Sequence, residues 1–195
     1  LNGWLLDAVF RPSDILAQRR MSIPAAKLMV STLENLACIK VIGRANFAVS
    51  VNFKRLLTDL SDKGIKHFVI DLGECAAMDS TFLGDLAGLG LKFYGEGTGN
   101  SEGRPIRLLN TPKGVLESIE SVGTDRLFQL IRSCDDVPGG FQEVSLDDVS
   151  RVENTRNCLE AHKLLMTLDP ANVDKFKDVT AFLEQDLQRQ EATKK

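Results

Sequence analysis

The twenty residues from His67 to Leu86 constrain this chain more than any others. Phe68 to Leu72 is an unbroken apolar run, the pattern of a strand covered on both faces. After a short connection, Asp79-Ser80-Thr81 opens a helix at once, with Leu83, Leu86, Ala87, Gly90 and Phe93 on a single stripe. A buried strand feeding a helix so directly is the building unit of layered α/β domains. It also sets two adjacent hydroxyls at a helix N-terminus immediately after an acid, where a single phosphate would change charge and shape together.

The flanking sequence repeats the alternation. Ala37 to Ile42 reads as a strand ended by Gly43, and Lys27 to Leu33 as a weaker strand that pairs with it. Asn46 caps a helix whose apolar positions are Val49, Phe53, Leu56, Leu57 and Leu60, with Gly64 as its stop. A polar, glycine-rich loop spans Gly95 to Gly103, followed by a strand at Ile106–Leu109. Thr111-Pro112 reads as an N-cap before a proline at the first helical position, with Val115, Leu116, Ile119 and Val122 on the apolar face. Gly123 ends that helix, and Leu127 to Ile131 forms a short last strand or an extra turn.

Pro138-Gly139-Gly140 reads as a break, after which the period is purely helical. Val149, Val152, Leu159 and Leu165 predict one long helix. Asp169-Pro170 starts a second, with Val173, Phe176, Val179, Leu183 and Leu187 as its stripe. The expected organisation is an N-terminal extension over 1–26, an α/β domain over 27–138 and a two-helix extension over 141–195. Residues 1–20 carry an apolar cluster that ends in Arg19-Arg20, the reverse of a secretory signal, and Met21 is a candidate natural start.

With 43% hydrophobic and 26% charged residues, the 195-residue chain has the composition of a soluble globular protein. Residues 141–195 hold eleven acids against eight bases and so carry the whole net charge of −3. No basic stripe suits a phosphate backbone, so nucleic-acid binding is not expected. No apolar run approaches the roughly 20 residues of a membrane span. Cys38, Cys75, Cys134 and Cys158 are scattered and form no CxxC pair, with only His67 and His162 as further ligands. The expectation is buried thiols in a reducing cytoplasm, with no metal and no cofactor.

Ile70-Asp71-Leu72, Asp79-Ser80-Thr81 and Leu83-Gly84, taken in this order, resemble a STAS domain, the family of the anti-sigma factor antagonists. The resemblance spans about residues 27–134. It includes the turn Gly43-Arg44-Ala45-Asn46-Phe47 and the closing stretch from Gly114-Val115-Leu116 to Gly123-Thr124-Asp125-Arg126-Leu127-Phe128. It implies a mixed sheet flanked by helices, here with a C-terminal helical extension. It further implies a non-enzymatic role in signal transduction and transcription regulation. Ser80, the first hydroxyl after the aspartate, would be phosphorylated by an anti-sigma serine kinase and dephosphorylated by a PP2C-type phosphatase, with Thr81 as second choice. Phe82 departs from the pattern, which usually has glycine there.

Asp79, Ser80, Thr81, Phe82, Asn46 and Phe47 are the candidate partner-binding residues. Each also has a structural role open to it. Ser80 or Thr81 can simply cap the helix, and Asp79 can bond nearby backbone N–H groups. Asn46 reads first as a cap, Phe47 as a core residue or hydrophobic staple, and Phe82 as either core or interface. A phosphate on Ser80 would be crowded by Asp79 and by Asp85 one turn on. The small residues Gly84, Ala87, Gly88 and Gly90 suit close helix packing better than nucleotide binding, since no GxGxxG order is present. Ser-His-Asp hydrolysis is not expected, because His67 opens a strand and His162 lies in the helical tail. The alternative function is an unphosphorylated STAS scaffold or homo-oligomer subunit, in stress signalling or a lipid-transport assembly, using the C-terminal helices as its contact surface.

Overall fold

The computed structural model describes residues 26–94 and 106–193. Nearly all of the expected N-terminal extension over 1–26 and the whole of the 95–103 loop lie outside those residues. A seven-stranded mixed sheet forms the centre, in the order β6-β5-β3-β2-β1-β7 with β4 beside β2. The strands are β1 (Lys27–Leu33), β2 (Leu36–Ala45), β3 (His67–Asp71), β4 (Cys75–Met78), β5 (Ile106–Leu109), β6 (Gln129–Ile131) and β7 (Gln142–Glu143). Between them run helices α1 (Phe47–Asp62), α2 (Ser80–Tyr94) and α3 (Lys113–Ser121), followed by α4 (Arg151–Leu168) and α5 (Val173–Ala192).

β1 and β2 form an antiparallel hairpin whose two-residue turn holds Glu34 at φ +52°. β2, β3, β5 and β6 pair in parallel, so each connection between them must cross over, which α1, α2 and α3 do. β2 changes partner along its length. Residues 36–40 pair with β3 and residues 43–45 with β4, the latter ladder shifting register between Gly43 and Arg44. Gly43 takes φ +78° there and its N–H bonds to the Glu74 carbonyl at 2.9 Å. β4 lies where the sequence suggested only a short connection; its four residues carry too weak an alternation to be seen.

One sheet face, bearing Ile39, Val41, Phe68, Ile70 and Leu108, meets Val49, Phe53, Leu57, Leu83, Leu86, Val115 and Ile119 of the helices. The other face, bearing Leu36, Cys38, Val69 and Leu109, is covered by Ile131, Cys134, Val137 and Phe141. Both faces of β3 are therefore dry, in keeping with its uniformly apolar sequence, although a chain segment and not a helix covers the second face.

Three expectations are corrected. Thr111 does not cap α3: Pro112 occupies the cap position, no side chain caps the helix, and the buried Thr111 hydroxyl has no partner. The chain does not turn purely helical after Gly140. Ser31 donates to the Gly139 carbonyl at 2.5 Å, and Gln142–Glu143 add to the β1 edge before a strap of residues leads to α4. The α5 stripe is also rotated. Val173 and Val179 are exposed, and the inward face runs through the partly buried Phe176 and Leu183 and the buried Thr180. Thr180 can turn inward because its hydroxyl bonds back to the Phe176 and Lys177 carbonyls.

The two C-terminal helices fold back on the domain. Ser150 caps α4 by accepting from the Glu153 N–H, and Leu165 is fully buried in the main core. A short turn at Pro170–Asn172 reverses the chain, with Asn172 fully buried and its amide donating to the Val122 and Leu165 carbonyls. α5 then lies along α4, tied to it by Arg156–Glu191 at 2.7 Å and Lys163–Glu184 at 2.6 Å.

Candidate functional site

The Asp79 carboxylate organises the site. The Asp79 backbone N–H bonds to the Ala45 carbonyl at 2.9 Å, tying the end of β4 to the end of β2. One carboxylate oxygen accepts from the Phe82 N–H and the other from the Phe47 N–H, both at 2.9 Å. A single side chain thus satisfies one orphan donor on α2 and one on α1 and locks the two N-termini together. Asn46 adds a second cap on α1 through the Ala48 N–H at 3.1 Å. Ser80 is the first residue of α2 on this platform.

α4 lies over that platform. The Ser80 hydroxyl is 2.8 Å from His162 Nε2, and His162 Nδ1 is 2.6 Å from the Cys158 carbonyl one turn earlier. A carbonyl only accepts, so Nδ1 carries the proton, and in the neutral ring Nε2 accepts the Ser80 O–H. His162 is 6% exposed, and its ring meets Phe176 edge-on at 5.0 Å. His162 is therefore a site residue, against the sequence expectation that no histidine approaches a hydroxyl at the motif. Its α4 address is 82 residues away, and only the fold-back joins the two.

The remaining contacts are specific. Thr81 is buried and donates to Cys158 Sγ at 3.5 Å. Burial raises the pKa of the Cys158 thiol, with the Thr81 bond acting in the opposite direction. Gly84 faces Ala161 so closely that an added Cβ would lie 2.6 Å from the Ala161 carbonyl oxygen. Asp85 points inward and accepts from the Ser50 hydroxyl and, at 2.6 Å, from the Asn157 amide. Desolvation raises its pKa, and those two bonds oppose the shift. The expected surface repulsion between Asp85 and a phosphate on Ser80 is thereby corrected: that carboxyl is buried and committed to its partners.

The candidate residues divide by depth. Asp79 and Ser80 are half-buried, Asn46 is half-buried and Phe47 is 50% exposed, so Phe47 is neither core nor staple. Phe82 is fully buried and stacks on Phe53 with centroids 4.5 Å apart. A ring occurs where the resembled family has glycine because here it fills the core beneath the platform. Sequence reasoning missed Asn157, Cys158, Ala161 and His162. Their one legible signal was a helix with small and polar residues on its inward side, matching the small residues of α2.

Among the described residues, no group of His, Cys, Asp or Glu is arranged to hold a metal. No helix among them is long and apolar enough to cross a membrane. No family model and no curated protein matches the sequence. In shape the chain is similar to an anti-sigma factor antagonist from Mycobacterium paratuberculosis, at 17% identity and a TM-score of 0.47, covering 57% of this chain and 90% of that one. It is also similar to the anti-sigma factor antagonist SpoIIAA in its unphosphorylated form, at 13% identity, TM-score 0.47, covering 56% and 90%. A third similar structure is TM1081 of Thermotoga maritima, at 16% identity, TM-score 0.46, covering 53% and 79%.

Proposed function

We propose that this chain is a regulatory binding protein of the anti-sigma factor antagonist type, switched by phosphorylation of Ser80. The observation that supports this most is the Asp79 carboxylate joining the N-termini of α1 and α2 with Ser80 as the next residue. The cap holds the Ser80 hydroxyl at the α2 N-terminus against His162 of α4, so a phosphate there changes charge and shape where α2 meets α4 while the sheet beneath keeps its packing. In the reaction the Ser80 oxygen attacks the γ-phosphorus of ATP held by a partner serine kinase. The new O–P bond forms as the bond to ADP breaks, and the hydroxyl proton passes to a base. A PP2C-type phosphatase reverses the change by hydrolysis. Asp79, Asn46 and the exposed Phe47 frame the contact surface, while Phe82 supports it from beneath.

The test uses radiolabelled ATP and an extract of the native cells, with phosphate mapped by mass spectrometry on wild type and Ser80→Ala. Label on Ser80 that the variant loses is the expected result. Equal labelling of both would remove Ser80 as the site.

A second reading, a scaffold or homo-oligomer without phosphorylation, draws on α5. Phe182 is 62% exposed, with Val179 beside it on the outer surface. Light scattering on wild type and Phe182→Ser separates it: a dimer lost in the variant favours the scaffold, and a monomer in both disfavours it.

A further inference from the structure

We propose that the α4–α5 pair is this chain's own occupant of the Ser80 face, and that a partner reaches Ser80 only when the pair swings away. The inference rests on Ser80 being the modified hydroxyl. α4 sits on α2 as a docked helix would. Ala161 lies over Gly84 and Leu164 over Gly88, where an added Cβ would come within 3.2 Å of its side chain. Beside them His162 engages Ser80 and Asn157 engages Asp85. The groove between α1 and α2 thus accepts a helix that presents a small residue at its closest point. A partner using the same face competes with α4 for it.

The seam has the make-up of a separable contact. Thr81, Asp85, Asn157 and His162 are buried polar residues within it, and Lys54–Glu160 and Arg55–Glu153 are ion pairs on its exposed rim. A cleft of about 350 Å³ remains open along it, lined by Leu57, Asp85, Leu89, Ala161 and Leu164 among others. Contacts this polar and incompletely filled are typical of surfaces that dock and part. Its apolar part is Leu165, fully buried in the main core, with Leu164, Leu168 and Phe176 packed against that core. Residues 144–150 connect β7 to α4 and, once the Asn52 amide releases the Asp147 backbone, reach about 23 Å when extended.

Phosphate and α4 cannot share the space above Ser80. The His162 ring begins 2.8 Å from the hydroxyl oxygen, where the phosphate oxygens must lie. Phe176 flanks the ring, and its burial leaves it no free rotation into solvent. The Asp79 carboxylate accepts from the Phe47 and Phe82 N–H groups and has no proton to donate, so it gives the phosphate no hydrogen bond and adds like charge. Modification therefore holds the face open after the pair has left it.

Hydrogen exchange and N-ethylmaleimide labelling of Cys158, both on the full chain, test this without a kinase. In Ser80→Glu, peptides of α4 should exchange about tenfold faster, and Cys158 should react correspondingly faster, while β2 and β3 keep their protection. Ala161→Arg should do the same with Ser80 intact. Unchanged protection of α4 in both variants overturns the proposal. So does loss of protection in β2 and β3 together with α4, which would make the pair part of one cooperative core. Thr81→Cys supplies a staple, since the Thr81 oxygen already lies 3.5 Å from Cys158 Sγ. Oxidised, it should block labelling of Ser80 from ATP in native-cell extract, and reduction should restore it. Labelling of the stapled form overturns the gate. A Ser80 unlabelled in wild type, Ala161→Arg and the reduced staple alike overturns the phosphorylation reading itself, and the exchange data tell the two failures apart.

Discussion

The Ser80 hydroxyl and His162 Nε2 lie 2.8 Å apart across 82 residues of chain. That bond ties the first turn of α2 to the middle of α4, so the state of one hydroxyl and the position of a two-helix unit are physically linked. Such a link turns a local modification into a larger rearrangement, provided the helix contact has two arrangements.

Asp79 should be the most sensitive polar residue of the platform. Asp79→Ala removes two caps at once, and each such bond contributes about 1 kcal/mol. The expected loss is about 2–3 kcal/mol by urea denaturation, whereas Asn46→Ala, which removes one cap, should lose about 1 kcal/mol.

Replacing Phe82 by glycine restores the pattern of the resembled family but empties a fully buried position against Phe53. The expected cost of Phe82→Gly is about 4–5 kcal/mol, from lost burial, the cavity and a glycine in a helix. A stability within 1 kcal/mol of wild type in urea would contradict this packing.

Two glycines should answer oppositely to alanine. At Gly84 the new methyl meets the Ala161 backbone at 2.6 Å, so α2 and α4 must part, at a cost of about 1–3 kcal/mol. At Gly114 an added Cβ meets nothing within 4 Å, and alanine in the first turn of α3 should stabilise by about 0.5–1 kcal/mol. Thermal melts of both variants check the signs.

Asp85 gives the fold a pH dependence. Burial raises its folded pKa above the unfolded value, so the native state holds this proton more tightly. Its contribution is fully present below the unfolded pKa and is lost as pH rises through the folded one. Asp85→Asn retains an acceptor for Ser50 and Asn157 without the charge. Urea midpoints from acidic to neutral pH should fall less steeply in the variant than in wild type, and parallel curves would count against the buried carboxyl.

Much of the fold was legible from local chemistry. The apolar run of β3, the Asn46 cap, the small residues of α2 and the turn at Asp169-Pro170 each depend on neighbours in sequence, and each element stands where they place it. β4 and β7 were not legible, because four- and two-residue strands form by pairing with edges supplied by distant chain. Thr111 carried the signature of a cap and does not serve as one, since the helix starts past the proline.

Of the site, the sequence determined Asp79 and Ser80 at the start of a helix, because capping follows from residues three or four apart. Tertiary structure decided that Asp79 also holds α1, that Phe82 faces inward, that Asp85 is buried and that His162 covers Ser80. Those facts arise from how helices pack across the sheet. Contact between side chains 32 or 82 residues apart depends on the orientation of whole elements, which local periodicity does not carry.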